Sequence, residues 1–201
     1  ILRPFLKGKN IRPYTIEWGG LYLIYPYDEN GNVISEQFFK SHYPNAYQYM
    51  LDNKDNLKGR SYFDKSSKAW YELWNQRKPT RFEGEKIVTL DNASCNSFAL
   101  DINGFFGTTT VYSLKIISDD GLNNKYVLGV LNSKLLNYYH RNTSVPQAGG
   151  FFRYQALFIK NLPIASANET IVNRISKCVT EILLGKKQNA DTTSLENQID
   201  F

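Results

Sequence analysis

The sequence predicts an α+β protein, and three kinds of segment support this class. Short runs rich in β-branched and aromatic residues have strand character, most clearly between residues 86 and 117. Longer segments near residues 125–138 and 171–183 place apolar residues three and four apart, which is typical of helices with one buried face. Loops containing glycine and proline separate these segments. Strands and helices are therefore expected together.

Composition limits the size and setting of the protein. The 201 residues, 42% of them hydrophobic, suffice for one domain, or for one domain with a helical appendage. Cys95 and Cys178 lie far apart and predict neither a disulfide framework nor a metal site. With no signal peptide and no apolar run of about 20 residues, a cytoplasmic location is expected. Because the chain begins with Ile1 and stops at Phe201 without a closing signal, we expect a fragment of a longer protein.

The first twelve residues carry the densest basic patch of the chain. Leu2–Arg12 is predicted to be extended, with a turn at Lys7-Gly8-Lys9-Asn10. Lys7, Lys9 and Arg12 are candidates for contact with phosphate groups, since cationic side chains replace the counterions condensed on DNA. A solvated basic loop is the alternative.

The next sixty residues predict two strands and two helices. Thr15–Pro26 resembles a strand pair with a turn at Gly19-Gly20. Pro44 to Leu57 predicts a helix, and Ser67–Asn75 predicts a short helix with Trp70 and Trp74 on one face. Further basic residues follow these helices and are also candidates for phosphate contact: Arg60, Arg77, Lys78 and Arg81.

Strands are predicted at residues 86–90, 97–101 and 108–117. Thr108 and Thr109 begin the last of these strands, and their hydroxyl groups could contact phosphates or base edges. Threonine also favours strands through its β-branched side chain, so a purely structural role stays open.

A helix, a polar loop and a strand are predicted between Lys125 and Ile164. The helical period ends near Tyr138, and Pro146, Gly149 and Gly150 interrupt it. An aromatic run from Phe151 to Ile159 predicts the strand. The loop between them presents donors and acceptors that match base edges, and the candidate base-reading residues are Arg141, Asn142, Ser144, Gln147 and Arg153.

The C-terminal residues predict a helical segment. Ser166 and Glu169 have capping-box spacing, an apolar stripe continues to Gly185, and another helix begins at Ser194. No catalytic or metal-binding pattern is evident: His42 and His140 are far apart, and no nucleophile elbow or phosphate-binding glycine loop with lysine occurs. No metal ligand, catalytic residue or cofactor is therefore predicted for this fragment.

A series of segments carries a family resemblance: LRPFLKGKNIRPY, EWGGLYLIYPYDENG, HYPNAYQYMLDNKDNLKGR, WYELW, EKIVTL, LGVLNSKLLNYY and FIKNLPI. In this order they resemble the TaqI-like C-terminal specificity domain of Type IIG restriction-modification enzymes, which is similar to target-recognition domains of Type I specificity subunits. The resemblance extends over roughly residues 1–194.

This resemblance implies a fold and a function. It implies a mixed, twisted β-sheet with flanking helices as a DNA target-recognition domain at residues 1–165, and a helical spacer at residues 166–201. The expected partners are double-stranded DNA and a methyltransferase or nuclease domain, in the same chain or in a partner subunit. S-adenosylmethionine and magnesium would serve only other domains of a bacterial parent enzyme, which methylates adenine and often cleaves DNA.

Two other functions stay open from the residues alone. A protein-interaction module would use the tyrosine- and tryptophan-rich surfaces to bind a partner subunit. A small metal-dependent nuclease would use Asp52 and Lys54 with a distant acid, although these residues are predicted to lie inside a helix.

Overall fold

The computed structural model describes residues 1–57, 66–117 and 121–200, and it divides into two compact units. Unit 1 contains residues 1–4 and 22–83, and unit 2 contains residues 5–21 and 84–201. Both strands and helices occur among the described residues, so the predicted α+β class is confirmed.

The strands are short. In chain order they are β1 (Leu2–Leu6), β2 (Ile11–Arg12), β3 (Thr15–Ile16), β4 (Tyr22–Ile24), β5 (Lys86–Leu90), β6 (Asn92–Ala93), β7 (Phe98–Asp101), β8 (Phe106–Gly107), β9 (Val111–Leu114), β10 (Pro146–Gln147) and β11 (Phe151–Arg153). The helices are α1 (Glu36–His42), α2 (Pro44–Asp52), α3 (Lys54–Leu57), α4 (Asn124–Asn132), α5 (Lys134–Thr143), α6 (Ala156–Ile159), α7 (Glu169–Lys187) and α8 (Thr193–Ile199).

Unit 1 is built around aromatic side chains. The start of β1 pairs antiparallel with β4, and Leu2 lies opposite Ile24. Phe39 of α1 is fully buried, and its ring meets the rings of Tyr47 and Tyr71 edge-on, each at 5.5 Å. Aromatic pairs in this geometry gain about 0.5–1.5 kcal/mol beyond the area they bury. The high aromatic content of the sequence therefore supplies a core here.

The centre of unit 2 is the antiparallel sheet β7-β5-β9. Both of its faces are covered, so the first four residues of the β5 sequence KIVTL are all buried, including the polar Lys86 and Thr89. Ile87 and Phe98 face the larger core formed with the helices, whereas Val88 and Ala99 face a smaller cluster that contains Leu6.

Helices α4 and α7 supply much of the larger core. α7 contributes Val172, Ile175, Val179 and Ile182 on one face. Gly129 of α4 permits a close approach, because a Cβ at this position would lie 2.9 Å from Ile175 Cγ2 and 3.0 Å from Val179 Cγ2. The spacer role expected for residues 166–201 stays a prediction, and these helices also complete the core of unit 2.

The helix predicted to end near Tyr138 is in fact two helices that meet at Ser133. The Ser133 hydroxyl donates to the Val130 carbonyl at 2.7 Å and accepts from the Leu136 amide at 3.2 Å. Ser133 itself is extended, with φ −64° and ψ 153°. It therefore ends α4 and caps the start of α5, which continues to Thr143 and carries Arg141 and Asn142 in its last turn rather than in a loop.

Three other element predictions were wrong, either in part or in full. The aromatic run after Gly150 forms the strand β11 and then the short helix α6. No helix occurs at residues 66–75, because hydrogen bonds specific to the tertiary structure hold turns there, including Tyr71 Oη to the Ile34 carbonyl at 2.8 Å. Asn168, not Ser166, caps α7, since it accepts from the Ile171 amide at 3.0 Å.

Strand pairing in the first 26 residues also differs from the prediction. β3 pairs with β2, and β4 pairs with β1, so Thr15–Pro26 does not form its own hairpin. The extended segment with a turn at residues 7–10 is confirmed, as are strands at residues 86–90 and 98–101. The third strand starts at Val111, since Thr108–Thr110 form a turn before it.

Candidate functional site

Two of the predicted base-reading residues lie on a hairpin of unit 2 formed by β10 and β11, here called the 146–153 hairpin. Pro146 lies opposite Phe152, and β11 also pairs with β6. Gly149 and Gly150 form the tip with φ of +76° and +78°, a conformation that glycine adopts without strain. The tip is exposed, whereas the Gln147 side chain beside the tip and the Arg153 side chain at the base are half-buried.

Two donors hold the Arg153 carbonyl at the base of this hairpin. His140 Nε2 lies 2.9 Å from the carbonyl oxygen, and Ser144 Oγ donates to the same oxygen at 2.6 Å. The His140 ring is fully buried and stacks on Tyr154 at 4.1 Å. Burial lowers the pKa of His140, although the hydrogen bond to Arg153 opposes this effect. The imidazole therefore acts as a neutral donor, and the structure assigns Ser144 a positioning contact.

The Arg153 side chain forms an ion pair with Asp91. Arg153 Nη1 lies 3.3 Å from Asp91 Oδ2, and 34% of the Arg153 side chain stays exposed. Tyr112 Oη donates to Asp91 Oδ1 at 3.4 Å. The Asp91 backbone amide donates to the Thr110 carbonyl at 2.9 Å, and the Asp91 carbonyl accepts from the Tyr154 amide at 2.7 Å. Asp91 therefore links the hairpin to the turn before β9.

Arg141 supports the same hairpin from the end of α5. Its Nη1 donates to the Ser94 carbonyl at 3.2 Å, and its guanidinium carbon lies 4.8 Å from the centre of the Phe152 ring. The amide groups of two other predicted residues make only local bonds to backbone carbonyls. Asn142 Nδ2 donates to Tyr138 at 2.7 Å, and Gln147 Nε2 donates to Pro146 at 3.0 Å.

A basic turn lies beside the threonine turn. The side chain of Asn10 closes the turn at residues 7–10 by accepting from the Lys7 amide at 3.0 Å. The Lys7 and Lys9 side chains are exposed. A Cβ at Gly8 would lie 3.1 Å from Leu90 Cβ and 3.6 Å from the Thr110 carbonyl oxygen. The basic turn is therefore packed on the chain that leads to Asp91.

The threonine turn also has a fixed geometry. The hydroxyl oxygens of Thr108 and Thr110 lie 2.8 Å apart, and the Thr108 amide donates to the Leu6 carbonyl at 3.2 Å. Thr109 is exposed. Successive contacts in unit 2 thus join the basic turn, the threonine turn, Asp91 and the 146–153 hairpin into one surface, which we call the loop surface.

Several predicted phosphate-binding residues lie elsewhere. Arg12 forms an exposed ion pair with Glu17 at 3.6 Å and donates to the Lys9 carbonyl at 2.9 Å. Three more cations belong to unit 1, where their side chains are exposed: Arg77, Lys78 and Arg81. Arg60 lies outside the described residues. The predicted set is therefore divided between the two units.

The sequence prediction missed Asp91 and Tyr112 and considered His140 only as a possible metal ligand. Asp91 directly follows the buried strand β5, and a charged residue in that place was the available signal. Asp52 and Lys54 do not form an acidic cluster, since Asp52 accepts from Gln48 at 2.7 Å and Lys54 Nζ lies 4.6 Å from the Trp70 ring centre. Among the described residues, no three His, Cys, Asp or Glu side chains are grouped as metal ligands would be.

The described helices include none that combines the length and apolar character needed to cross a bilayer.

Comparison with known proteins identifies relatives of the whole chain. The chain is 28% identical over 207 residues to the Type II methyltransferase M.MjaIV of Methanocaldococcus jannaschii, with 100% of this chain and 66% of the relative covered. It is 26% identical over 179 residues to the Type II methyltransferase M.BanIII of Aneurinibacillus aneurinilyticus, which covers 86% of this chain and 30% of the relative. The chain thus spans between about a third and two thirds of these relatives. The family model for the TaqI-like C-terminal specificity domain matches residues 3–164. The chain therefore belongs to the TaqI-like C-terminal specificity domain family.

Proposed function

We propose that this chain recognises a short sequence of double-stranded DNA and directs an attached methyltransferase to it. The observation that carries this proposal is the family match over residues 3–164, and the names of the relatives support it. The loop surface supports it further, because it combines guanidinium, amide and hydroxyl groups with an exposed glycine tip.

The loop surface offers two kinds of DNA contact. Base readers need donors and acceptors on a rigid element, and we assign this role to Arg153, Gln147 and the end of α5 with Arg141 and Asn142. The exposed cations Lys7 and Lys9 lie on the turn next to Thr108–Thr110 and would contact phosphates, which position a protein without reading sequence. Thr109 is a further candidate because its side chain is exposed.

The finer aspects of the parent enzyme are also proposals. We propose an adenine-specific methyltransferase of Type II or IIG in a bacterial or archaeal cytoplasm, with S-adenosylmethionine bound outside this chain. Any nuclease activity with magnesium would likewise belong to another domain. Residues 1–165 would contact DNA, and residues 166–201 would set the distance to the neighbouring domain.

Fluorescence anisotropy with labelled duplex DNA tests the proposed function. The protein should bind duplex in about 50 mM salt, and a selection from a random duplex library should enrich one short motif. Absence of duplex binding at low salt, or binding with no enriched motif, would contradict the proposal.

A substitution at the hairpin tests the assignment of readers. Gln147→Ala removes an amide that can pair with adenine, so discrimination at one base pair should fall by about 1–3 kcal/mol. Gln188→Ala, an exposed glutamine at the end of α7, is the matched control and should leave the motif unchanged. Sequencing of the duplexes that each variant selects gives the two motifs. An unchanged motif in the Gln147 variant would mean that Gln147 does not read a base.

A protein-interaction role is the second candidate, and exposed apolar side chains favour it. Leu135 and Tyr138 of α5 are 77% and 70% exposed, and Leu157 of α6 is 60% exposed. Such residues are typical of surfaces that meet a partner. Tight, salt-insensitive binding to a companion chain without DNA binding would support this function instead.

A further inference from the structure

We propose that Asp91 is a positioning residue that orients Arg153 for guanine recognition, an inference that rests on the proposed function. An acidic side chain on a DNA-binding surface is unfavourable for contact with phosphates, so its presence there needs a specific reason. The ion pair with Arg153 supplies that reason, since it holds a long and flexible side chain in one place.

The atoms in contact determine which donors stay available. Asp91 Oδ2 engages Nη1 of Arg153 at 3.3 Å. The described residues provide no hydrogen-bond partner for Nε or Nη2 of Arg153, and these two N–H groups share one edge of the planar guanidinium. Two adjacent donors match the O6 and N7 acceptors of guanine in the major groove. Asp91 therefore binds Nη1 and leaves the edge formed by Nε and Nη2 of Arg153 available for guanine.

Both ends of Arg153 are fixed by the fold. His140 and Ser144 hold its carbonyl, and Asp91 holds its guanidinium. Asp91 is in turn fixed through its backbone by Thr110 and Tyr154. A side chain whose rotamer is set before binding loses less conformational entropy when it meets the base, so discrimination is increased.

The test separates three roles that Asp91 could have. The full-length protein and its Asp91→Asn variant are compared on the duplex enriched by the wild type and on a scrambled duplex. If Asp91 positions Arg153, the variant should bind the scrambled duplex as well as or better than the wild type, because one negative charge is gone. Its preference for the enriched duplex should fall by roughly 5- to 150-fold, the range that 1–3 kcal/mol per base contact predicts.

The other outcomes overturn the inference. Equal strengthening on both duplexes means that Asp91 only repels phosphate. Equal weakening on both, with a lower melting temperature, means that Asp91 only supports the fold. Glu181→Gln, which removes an exposed acid of α7, is the matched control for charge and should not change the preference.

A probe in the DNA keeps the inference testable if the Asp91 variant does not fold. Replacement of one guanine by 7-deazaguanine removes the N7 acceptor while the protein stays unchanged. Wild-type affinity should fall at one guanine of the motif, and the Arg153→Lys variant, which lacks the guanidinium, should be insensitive there. If no guanine shows this behaviour, the inference fails; if the wild type enriches no motif at all, the proposed function fails with it.

Discussion

At the scale of single residues, the base of the 146–153 hairpin depends on one buried histidine, His140. His140 is inaccessible to solvent, stacks on Tyr154 and donates to Arg153. Its Nδ1 atom is buried and has no hydrogen-bond partner among the described residues. Protonation would add a second donor that finds no acceptor, so the charged ring is disfavoured in the folded state.

His140 should therefore make stability depend on pH. Its pKa is lowered in the folded state from the ordinary value of 6.5, so below that pH the unfolded chain binds a proton that the folded chain does not. The free energy of unfolding should fall as the pH decreases from about 7 to about 5. His140→Gln should show a shallower fall, and should lose about 1–3 kcal/mol at pH 7 because the packing and the donor change. Urea unfolding followed by tryptophan fluorescence at several pH values measures both effects.

Ser144→Ala provides the matched control. It removes the other donor to the Arg153 carbonyl without removing the titrating ring, so stability should decrease while its pH dependence stays that of the wild type. Equal pH dependence in the His140 variant and the wild type would contradict the assigned role.

The sequence shows which residues of the hairpin carry donors and charges, but it does not show which partners they bind in the folded protein. The basic and amide-bearing residues of the hairpin were expected to face DNA, but the bond from Ser144 to Arg153 and the ion pair with Asp91 depend on tertiary structure. Asp91 and Arg153 are 62 residues apart in sequence, and no local pattern links them.

At the scale of elements, the packing of α4 on α7 explains a glycine that helix propensity alone disfavours. Gly129 is unfavourable in a helix by about 1 kcal/mol relative to alanine, yet it lies in the middle of α4. The two helices approach so closely here that a methyl group would meet Ile175 at 2.9 Å and Val179 at 3.0 Å, which explains the glycine.

Gly129→Ala should therefore destabilise the protein although alanine favours helices. Overpacking of this kind typically costs about 1–3 kcal/mol, which exceeds the gain of about 1 kcal/mol in helix propensity. Chemical denaturation measures the change. Ile175→Leu moves the branch away from Cβ and removes the Cγ2 atom that lies 2.9 Å from the added methyl group, so the double variant should recover part of the loss. A stabilised Gly129 variant would contradict the close approach of the helices.

Elements with long periodic patterns were predictable, and their ends were less so. The period near residues 125–138 correctly indicates helix, but it does not show that Ser133 divides it, since serine is also tolerated within helices. Residues 67–75 have helical spacing of Trp70 and Trp74, yet the Glu72 carboxylate accepts from the Ala69 amide at 2.7 Å and stabilises a turn instead. The tertiary hydrogen bond from Tyr71 Oη to the Ile34 carbonyl at 2.8 Å also holds this segment, so tertiary structure overrides the helical preference there.

At the scale of the whole molecule, charge is the property that bears on DNA affinity. The chain has 24 basic and 19 acidic residues, which gives a net charge of +5. This excess is modest, so the position of the cations matters more than their number. In unit 2, the exposed Lys7 and Lys9 are brought beside the threonine turn, whereas Arg12 is paired with an acid.

Affinity for duplex DNA should consequently fall as the salt concentration rises, and Lys9 should contribute to the steepness of this fall. In a plot of log K against log salt concentration, Lys9→Ala should reduce the slope by about 1, the value expected for one lost phosphate contact, and should weaken binding to all sequences alike. Lys177→Ala, an exposed lysine of α7, is the matched control. Anisotropy titrations at several salt concentrations give both slopes, and an equal effect of the two variants would exclude a specific phosphate contact at Lys9.

The division at Ser133 has a consequence for how such proteins could diversify. One hydroxyl group serves two helices, so the junction tolerates a change of direction without a long linker. Because each residue advances a helix by about 100°, inserting or deleting a single amino acid just after this junction would rotate Arg141 and its neighbours about the axis of α5. Core residues in α4 would keep their places, but the buried Leu136 and His140 of α5 would turn out of the core. New target preferences are therefore expected from substitutions at exposed positions of α5 rather than from changes of its length.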